Sequence, residues 1–356
     1  MWLPDIDGVV SAQSLTRTVD YIESVQLPDG LVPWFDGGHA DPWNHTEALM
    51  ALMLGGRRAA AERGFEWLRA HQRPDGAWHQ YYIDGGVEQD KLDANVVAYV
   101  AAGVWHHWLL FGDDGFLEEM WPTIEAAIEF VLDLQTPRGE ILWARHADGT
   151  PWTFALLTGS SSINHSLRCA IAVADRLEHG RPDWELSATR LAQVIRNHPD
   201  AFAPKHRWAM DWYYPVLTGV VGGDDARDRL DGRFDTFVMD GKGVRCVSDR
   251  PWVTAAETCE CAMALEAVGE HERAMQLFSW AQRHLDEDGR YWTGTVYPDE
   301  VHFPGGEQST YTAAAVILAA DTLTASSPAS WLFADHDRLP GLLDGPSLAA
   351  LTEPTE

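Results

Sequence analysis

The chain has 356 residues, 46% of them hydrophobic, with 54 acidic against 26 basic side chains and a formal net charge of −28. That apolar fraction excludes a disordered chain, and the negative excess repels phosphate backbones, so nucleic acid and anionic membranes are not expected partners. Met1 to Asp5 show no basic start leading into an apolar stretch, no apolar run approaches the ~18 residues of a membrane span, and the four cysteines lack paired spacing, so a reduced, cytoplasmic protein is expected.

Read in chain order, amphipathic helices alternate with helices rich in Ala, Val, Leu and Gly. The spacing predicts an amphipathic helix over 14–25, an apolar one over 47–54, then the pairs 57–71 and 91–109, 118–134 and 164–177, 185–197 and 212–221, 226–236 and 255–268, and 271–285 and 310–323. Helices that are apolar on nearly all sides belong inside, and amphipathic ones outside. Glycine turns followed by an aromatic or apolar strand recur between them. Examples are Gln26-Leu-Pro-Asp-Gly-Leu-Val-Pro-Trp34, Gln72-Arg-Pro-Asp-Gly-Ala-Trp78, Gln135-Thr-Pro-Arg-Gly-Glu-Ile-Leu-Trp143 and Asp286-Glu-Asp-Gly-Arg-Tyr-Trp292. A helix-pair period of about 40 to 60 residues argues for a repeat array. The expected fold is all-α: an (α/α)6 barrel, or toroid, with short β-hairpins in the outer-to-inner loops. One domain over 1–325 is expected, followed by a C-terminal tail, 326–356, that is partly mobile, with Trp331-Leu332-Phe333 docking it and the last ten residues free.

Inner-to-outer links such as Gly55-Gly56 are short, whereas the outer-to-inner links are long and aromatic. Long loops on a rigid scaffold carry function. The working face is therefore expected at the N-terminal rim of the inner helices, where helix dipoles favour carboxylates. Hydrolysis of a glycosidic bond needs two carboxyl groups, one protonated and one ionised. The catalytic candidates are Glu257 as general acid and Asp41 as base, with Glu260 and Glu47 beside them. Each has a structural rival: Thr254-Ala-Ala-Glu257 and Asn44-His-Thr-Glu47 match a capping box, Asp41-Pro42 is a typical helix entrance, and Asp90 is a plausible N-cap. Glu260, one turn into an apolar helix, must be paired, protonated or functional. Aligned on the inner helices, Glu47, Asp93, His165, Tyr214 and Glu260 fall at one height.

Flat aromatic rings stack on the C–H faces of sugars. The substrate-binding candidates are Trp34, His39, Trp43, His45, Asp93, Lys205, His206, Trp208, Asp211, Trp212, Tyr214, Trp252 and Tyr311. Thr158-Gly-Ser-Ser-Ser162 reads as a helix cap, Cys259-Glu-Cys261 as helix packing, and Asp224-Asp-Ala-Arg-Asp228 as an outer-helix start despite its DDxxD spacing. No metal-ligand set or nucleotide loop is visible, so no metal or cofactor is expected.

The Gln-x-x-Asp-Gly-x-Trp loops resemble those of the squalene cyclase and prenyltransferase superfamily and of (α/α)6 carbohydrate-active enzymes, but the DxDD motif of the cyclases is absent. The blocks Gly37-Gly-His-Ala-Asp-Pro-Trp-Asn-His-Thr-Glu47, Lys205-His-Arg-Trp-Ala-Met-Asp-Trp-Tyr-Tyr-Pro215 and Arg245-Cys-Val-Ser-Asp-Arg-Pro-Trp-Val-Thr-Ala-Ala-Glu257 resemble an actinobacterial family that carries the label prenyltransferase. Its mycobacterial branch comprises methylmannose polysaccharide hydrolases. The resemblance implies an endo-acting α-mannosidase on an intracellular, partly O-methylated α-1,4-mannan, with an oligo- or polysaccharide as its partner; an inverting course is expected beside it. The alternatives are a terpene cyclase or prenyltransferase-like enzyme, and a non-catalytic glycan- or lipid-binding barrel.

Overall fold

The computed structural model describes residues 1–343. Helix pairs follow one another along the chain: α1 (Ala12–Val25) and α2 (Pro42–Leu54); α3 (Arg58–His71) and the broken inner helix α4 (Ala94–Ala98) and α5 (Val100–Phe111); α6 (Asp114–Leu132) and α7 (Leu157–Arg176). Then come α8 (Pro182–Asn197) and α9 (Met210–Leu217), the broken outer helix α10 (Gly223–Asp231) and α11 (Phe234–Phe237) with α12 (Ala255–Ala267), and α13 (His271–Ala281) with α14 (Thr310–Thr324). Two predicted helices start elsewhere. Residues 92–93 of the predicted 91–109 helix form a strand, and Asp93, not Asp90, caps α4 with its carboxylate. The predicted 212–221 helix begins at Met210 and stops at Leu217, because Gly219 takes a left-handed φ of 70°.

The apolar helices pack in succession: α2 on α5, α5 on α7, α7 on α9, α9 on α12, α12 on α14, and α14 back on α2. In α2 every side chain from His45 to Leu54 is buried, as expected of a helix enclosed on all sides. The amphipathic helices turn one face inward; α3 buries Phe65, Trp67 and Leu68 and leaves its charges outside.

The recurring Gln…Gly loops are staples between neighbouring outer helices. Gln26 Nε2 donates to the carbonyls of Gly30 (2.8 Å) and Ala60 (2.9 Å). Gln72 repeats this with Gly76 (2.9 Å) and Thr123 (2.8 Å), and Gln135 with Gly139 (2.9 Å) and Ser187 (3.0 Å). Thr18 Oγ1 donates to Gly289 O at 2.7 Å, joining the last such loop to α1. Gly76 sits at φ 86°, and a Cβ there would lie 2.0 Å from Ala126 O. Gly76→Ala therefore combines left-handed strain with a backbone clash and is expected to cost about 3 kcal/mol, read as a lower denaturant midpoint at unchanged slope.

Short strands fill the long loops. β1 (Tyr81–Ile83) pairs with β2 (Gly86–Gln89), and β3 (Leu92–Asp93) with β4 (Ala144–Arg145). β5 (Val238–Met239), β6 (Gly243–Arg245), β7 (Trp252–Thr254), β8 (Gly294–Val296) and β9 (Val301–Phe303) form one antiparallel meander. Thr254 of β7 faces Gly294 of β8, so the sheet ties the entrance of α12 to the loop that leads to α14.

At the other end of the bundle, residues after α14 fold back onto the C-terminal halves of the inner helices. Trp331, Leu332 and Phe333 are buried. His165 Nε2 donates to Leu332 O (3.1 Å), and Arg168 donates to the carbonyls of His336 (2.6 Å), Pro340 (2.9 Å) and Leu339 (3.2 Å). His165 thus belongs to the end away from the long loops, not to the rim height expected for it. The mobility expected of the last ten residues falls outside the described residues.

Candidate active site

The N-terminal ends of α2 and α12 place four carboxyl groups around one cavity of about 280 Å³. Asp41, Glu47, Glu257 and Glu260 line it together with Trp34, Trp43, Asn44, Tyr81 and Tyr311. Asp41 is the N-cap of α2: its Oδ1 accepts Asn44 N–H (3.0 Å), and its Oδ2 accepts Trp34 Nε1–H and Asn44 Nδ2–H, each at 2.7 Å. Glu47 lies a turn deeper, so it caps nothing; its Oε1 accepts Trp43 Nε1–H (3.1 Å) and the Tyr99 hydroxyl (3.3 Å). Glu257, which is partly open to the cavity, accepts the hydroxyl of Thr254. Glu260, one turn further along the same face of α12, accepts the hydroxyl of buried Tyr213.

Burial raises all four carboxyls above their ordinary values. For Glu47 the push reaches about 8, with Asp41 adding to it; Glu260 is raised well above its usual range, with Glu47 and Glu257 adding to the burial. Four acids in one small space do not ionise together. Asp41 and Glu257 are raised by burial too, but their surroundings differ. Asp41 holds three N–H donors, from Trp34 and Asn44, that favour its anion, whereas Glu257 has the Thr254 hydroxyl and its own backbone N–H. Such a difference separates a base from an acid.

Because Glu47 titrates higher in the folded chain than the ordinary 4.5, the folded state binds the extra proton. Its contribution to stability is therefore full below about 4.5 and is lost as pH rises toward about 8. Glu47→Gln removes that dependence. The fall in melting temperature on going from acid to mildly alkaline buffer is expected to be several degrees smaller in this variant than in the unaltered chain.

A second lobe of about 250 Å³ adjoins the first across Trp43, Gln80, Val96 and Met210. It opens between the starts of α4, α7 and α9 and is lined by Asp93, Asn95, Trp143, Leu156, Thr158, Gly159, Lys205, Trp208 and Asp211. Asp211 Oδ1 accepts the Thr158 hydroxyl (2.7 Å), so Thr158 serves a rim carboxylate where a helix cap was expected. Lys91 Nζ lies 3.7 Å from Asp93 Oδ2 and 3.8 Å from the centre of the Trp143 ring.

Of the expected binding residues, Trp34, Trp43, Asp93, Lys205, Trp208, Asp211 and Tyr311 line one lobe or the other. His45 does not. It is fully buried, its Nδ1 accepts Val32 N–H and its Nε2 donates to Gly64 O, each at 3.0 Å, and burial lowers its pKa to about 4. Trp212 is also structural, since its indole donates to Arg229 O (2.8 Å) and stacks on Phe237. Tyr214 is buried beside the ring of Trp43, behind the cavity wall. His39 stacks on Tyr81 and pairs with Glu88 at 3.2 Å, Trp252 packs on Phe303, and His206 is exposed; none of the three lines either lobe. The DDxxD segment is the first turn of α10, where Asp224 pairs with Arg227. Among the described residues, no cluster of three His, Cys, Asp or Glu side chains could hold a metal, and no helix is long and apolar enough to cross a membrane.

No protein-family model matches the chain. The MMP endo-(1,4)-3-O-methyl-alpha-D-mannosidase of Mycolicibacterium hassiacum is 48% identical to it over 344 residues, 96% of this chain and 95% of that one. The chain belongs to that endo-mannosidase family. Its members are glycoside hydrolases, which accords with a carboxyl-lined, tryptophan-walled cleft. A stretch of 83 residues, 23% of the chain, is also 32% identical to 14% of an uncharacterized glycosyl hydrolase of Methanocaldococcus jannaschii.

Solved structures share the α/α-type fold of this endo-mannosidase family member. A wild-type glycosidase matches with a TM-score of 0.69 at 15% identity, covering 88% of this chain and 99% of that one. A D-mannose isomerase matches with a TM-score of 0.67 at 14% identity, over 86% and 96%. A bacterial glucoamylase complexed with acarbose matches with a TM-score of 0.69 at 12% identity, over 93% and 58%. Gln80, Asn95, Val96 and Met210 line the cleft without having been expected there. Met210 directly precedes the expected rim acid Asp211, and Asn95 lies two residues after Asp93, which is the signal that could have found them.

Proposed function

We propose that the chain hydrolyses internal α-1,4 bonds of a partly 3-O-methylated mannan in the cytoplasm, with inversion and without a cofactor. The supporting observation is the set of four acids on one tryptophan-walled cavity in a chain 48% identical to an endo-mannosidase. The closed succession of inner helices supports a single (α/α)6 toroid over residues 1–325, with hairpin-bearing loops at its mouth.

In this reading Glu257 gives its proton to the glycosidic oxygen as the bond to the anomeric carbon breaks. Asp41 takes a proton from the water that attacks that carbon from the opposite face. Glu257 ends ionised and Asp41 protonated, and exchange with solvent resets both. Glu47 and Glu260, held neutral by burial, donate hydrogen bonds to sugar hydroxyls and keep added negative charge away from Glu257. Trp34, Trp43 and Tyr311 offer flat faces to the sugar rings.

Incubation with 3-O-methylated α-1,4-manno-oligosaccharides tests the reading. Product masses should show cleavage inside the chain, and proton NMR should show the β-anomer first at the new reducing end. Release of monosaccharides alone would overturn endo action, and an α-anomer formed first would overturn inversion. Turnover of a prenyl diphosphate in place of the glycan would favour the isoprenoid alternative.

A further inference from the structure

The second lobe has a chemistry of its own. Leu156, the residue before the first turn of α7, and Val96, in the first turn of α4, line it beside the Trp143 ring. Its acids are already partly engaged. Asp93 Oδ1 accepts the backbone N–H groups of Asn95 (3.0 Å) and Val96 (3.4 Å) while its Oδ2 faces Lys91, and Asp211 Oδ1 accepts Thr158. The lobe therefore sets a substantial apolar wall beside polar groups, among them Gln80 Oε1 and Asn95 Oδ1, which have no partner among the described residues. A sugar hydroxyl pressed on such a wall loses its hydrogen bond to water without replacement. A methyl ether at the same position has no donor to lose and gains by leaving water.

We propose that this lobe is the subsite that selects a 3-O-methylmannosyl unit next to the cleaved bond. Its methyl ether rests on Leu156 and Val96, its ring stacks on Trp143, and its free hydroxyls reach Asp93 and Asp211. The inference rests on the endo-mannosidase reading, and the adjacency rests on the wall that the two lobes share.

Two variants test it. Leu156→Asn makes the wall polar, and Asn is favoured before the first turn of a helix, so α7 is retained. Gly159→Ala adds a carbon to the lobe at ordinary contact distances, 3.6 Å from Asn95 Cβ and 3.9 Å from Leu156 Cβ, where the larger methylated sugar loses more room. The measurement is the ratio of kcat/KM for 3-O-methylated over unmethylated α-1,4-manno-oligosaccharides of equal length. The unaltered chain should favour the methylated series, and each variant should lower the ratio about fivefold, the worth of roughly one buried methyl contact. A ratio that stays constant while both substrates slow equally overturns the subsite and leaves the endo-mannosidase reading standing. Failure of the unaltered chain to cleave either substrate overturns both together.

Discussion

Glu257→Gln is expected to lower kcat on the α-1,4-mannan by about a thousandfold, the usual size of a lost general acid, with little change in KM or in melting temperature. Glutamine keeps the shape of the side chain and can still take the Thr254 hydroxyl on its carbonyl oxygen, so α12 and its junction with β7 should persist. What it lacks is the proton for the departing sugar oxygen. An aryl α-mannoside whose phenol leaves without protonation should therefore lose far less, and the ratio of the two losses identifies the role. The pH profile carries the same information. Burial raises Glu257 above its ordinary value, so its acid form survives to higher pH than that of a solvated carboxyl, and activity falls as pH rises through that raised value. In Glu257→Gln the alkaline fall should vanish from the residual activity. Equal loss on both substrates, or an unaltered alkaline limb, would remove Glu257 from the acid's place.

The gathering of these acids was legible because it depends on helix periodicity. Asp41 and Glu47 begin α2, Glu257 and Glu260 begin α12, and placing apolar helices side by side sets their starts at one mouth. The same reasoning misplaced His45 and Trp212. Each lies one residue from a cavity-lining neighbour, Asn44 and Asp211, and a step of one residue turns a helical side chain by about 100°, from the cavity into the layer between inner and outer helices. His165 failed for another cause: the chain after α14 fills that end of the bundle, and nothing local to residues 157–176 announces a contact with Leu332. The loop repeat was read for its aromatics, yet its glutamine and glycine tie outer helices together. The five-stranded sheet escaped because β7 and β8 come from loops of different repeats, and such pairing leaves no mark in either loop alone.

Asp41→Asn is expected to be as damaging as the loss of the acid, about a thousandfold in kcat, but with a different signature. Asp41 has two tasks: its carboxylate caps α2 through Asn44 N–H and, in the proposed mechanism, takes the proton of the attacking water. Asparagine is as good a helix cap as aspartate, so the variant separates the tasks, whereas Asp41→Ala adds about 1 kcal/mol of lost capping to any kinetic effect. Activation of water is needed whatever group departs, so Asp41→Asn should be equally poor on the glycan and on the aryl mannoside. Its pH dependence should also be the mirror of the acid's. The unaltered enzyme loses activity as pH falls through the raised Asp41 value, and it is this acid limb that should disappear. If Asp41→Asn keeps activity while Glu47→Gln or Glu260→Gln abolishes it, the base lies deeper in the cavity. The three nitrogen donors around Asp41 would then mark a helix cap and a clamp on Trp34, not a group held ionised for catalysis.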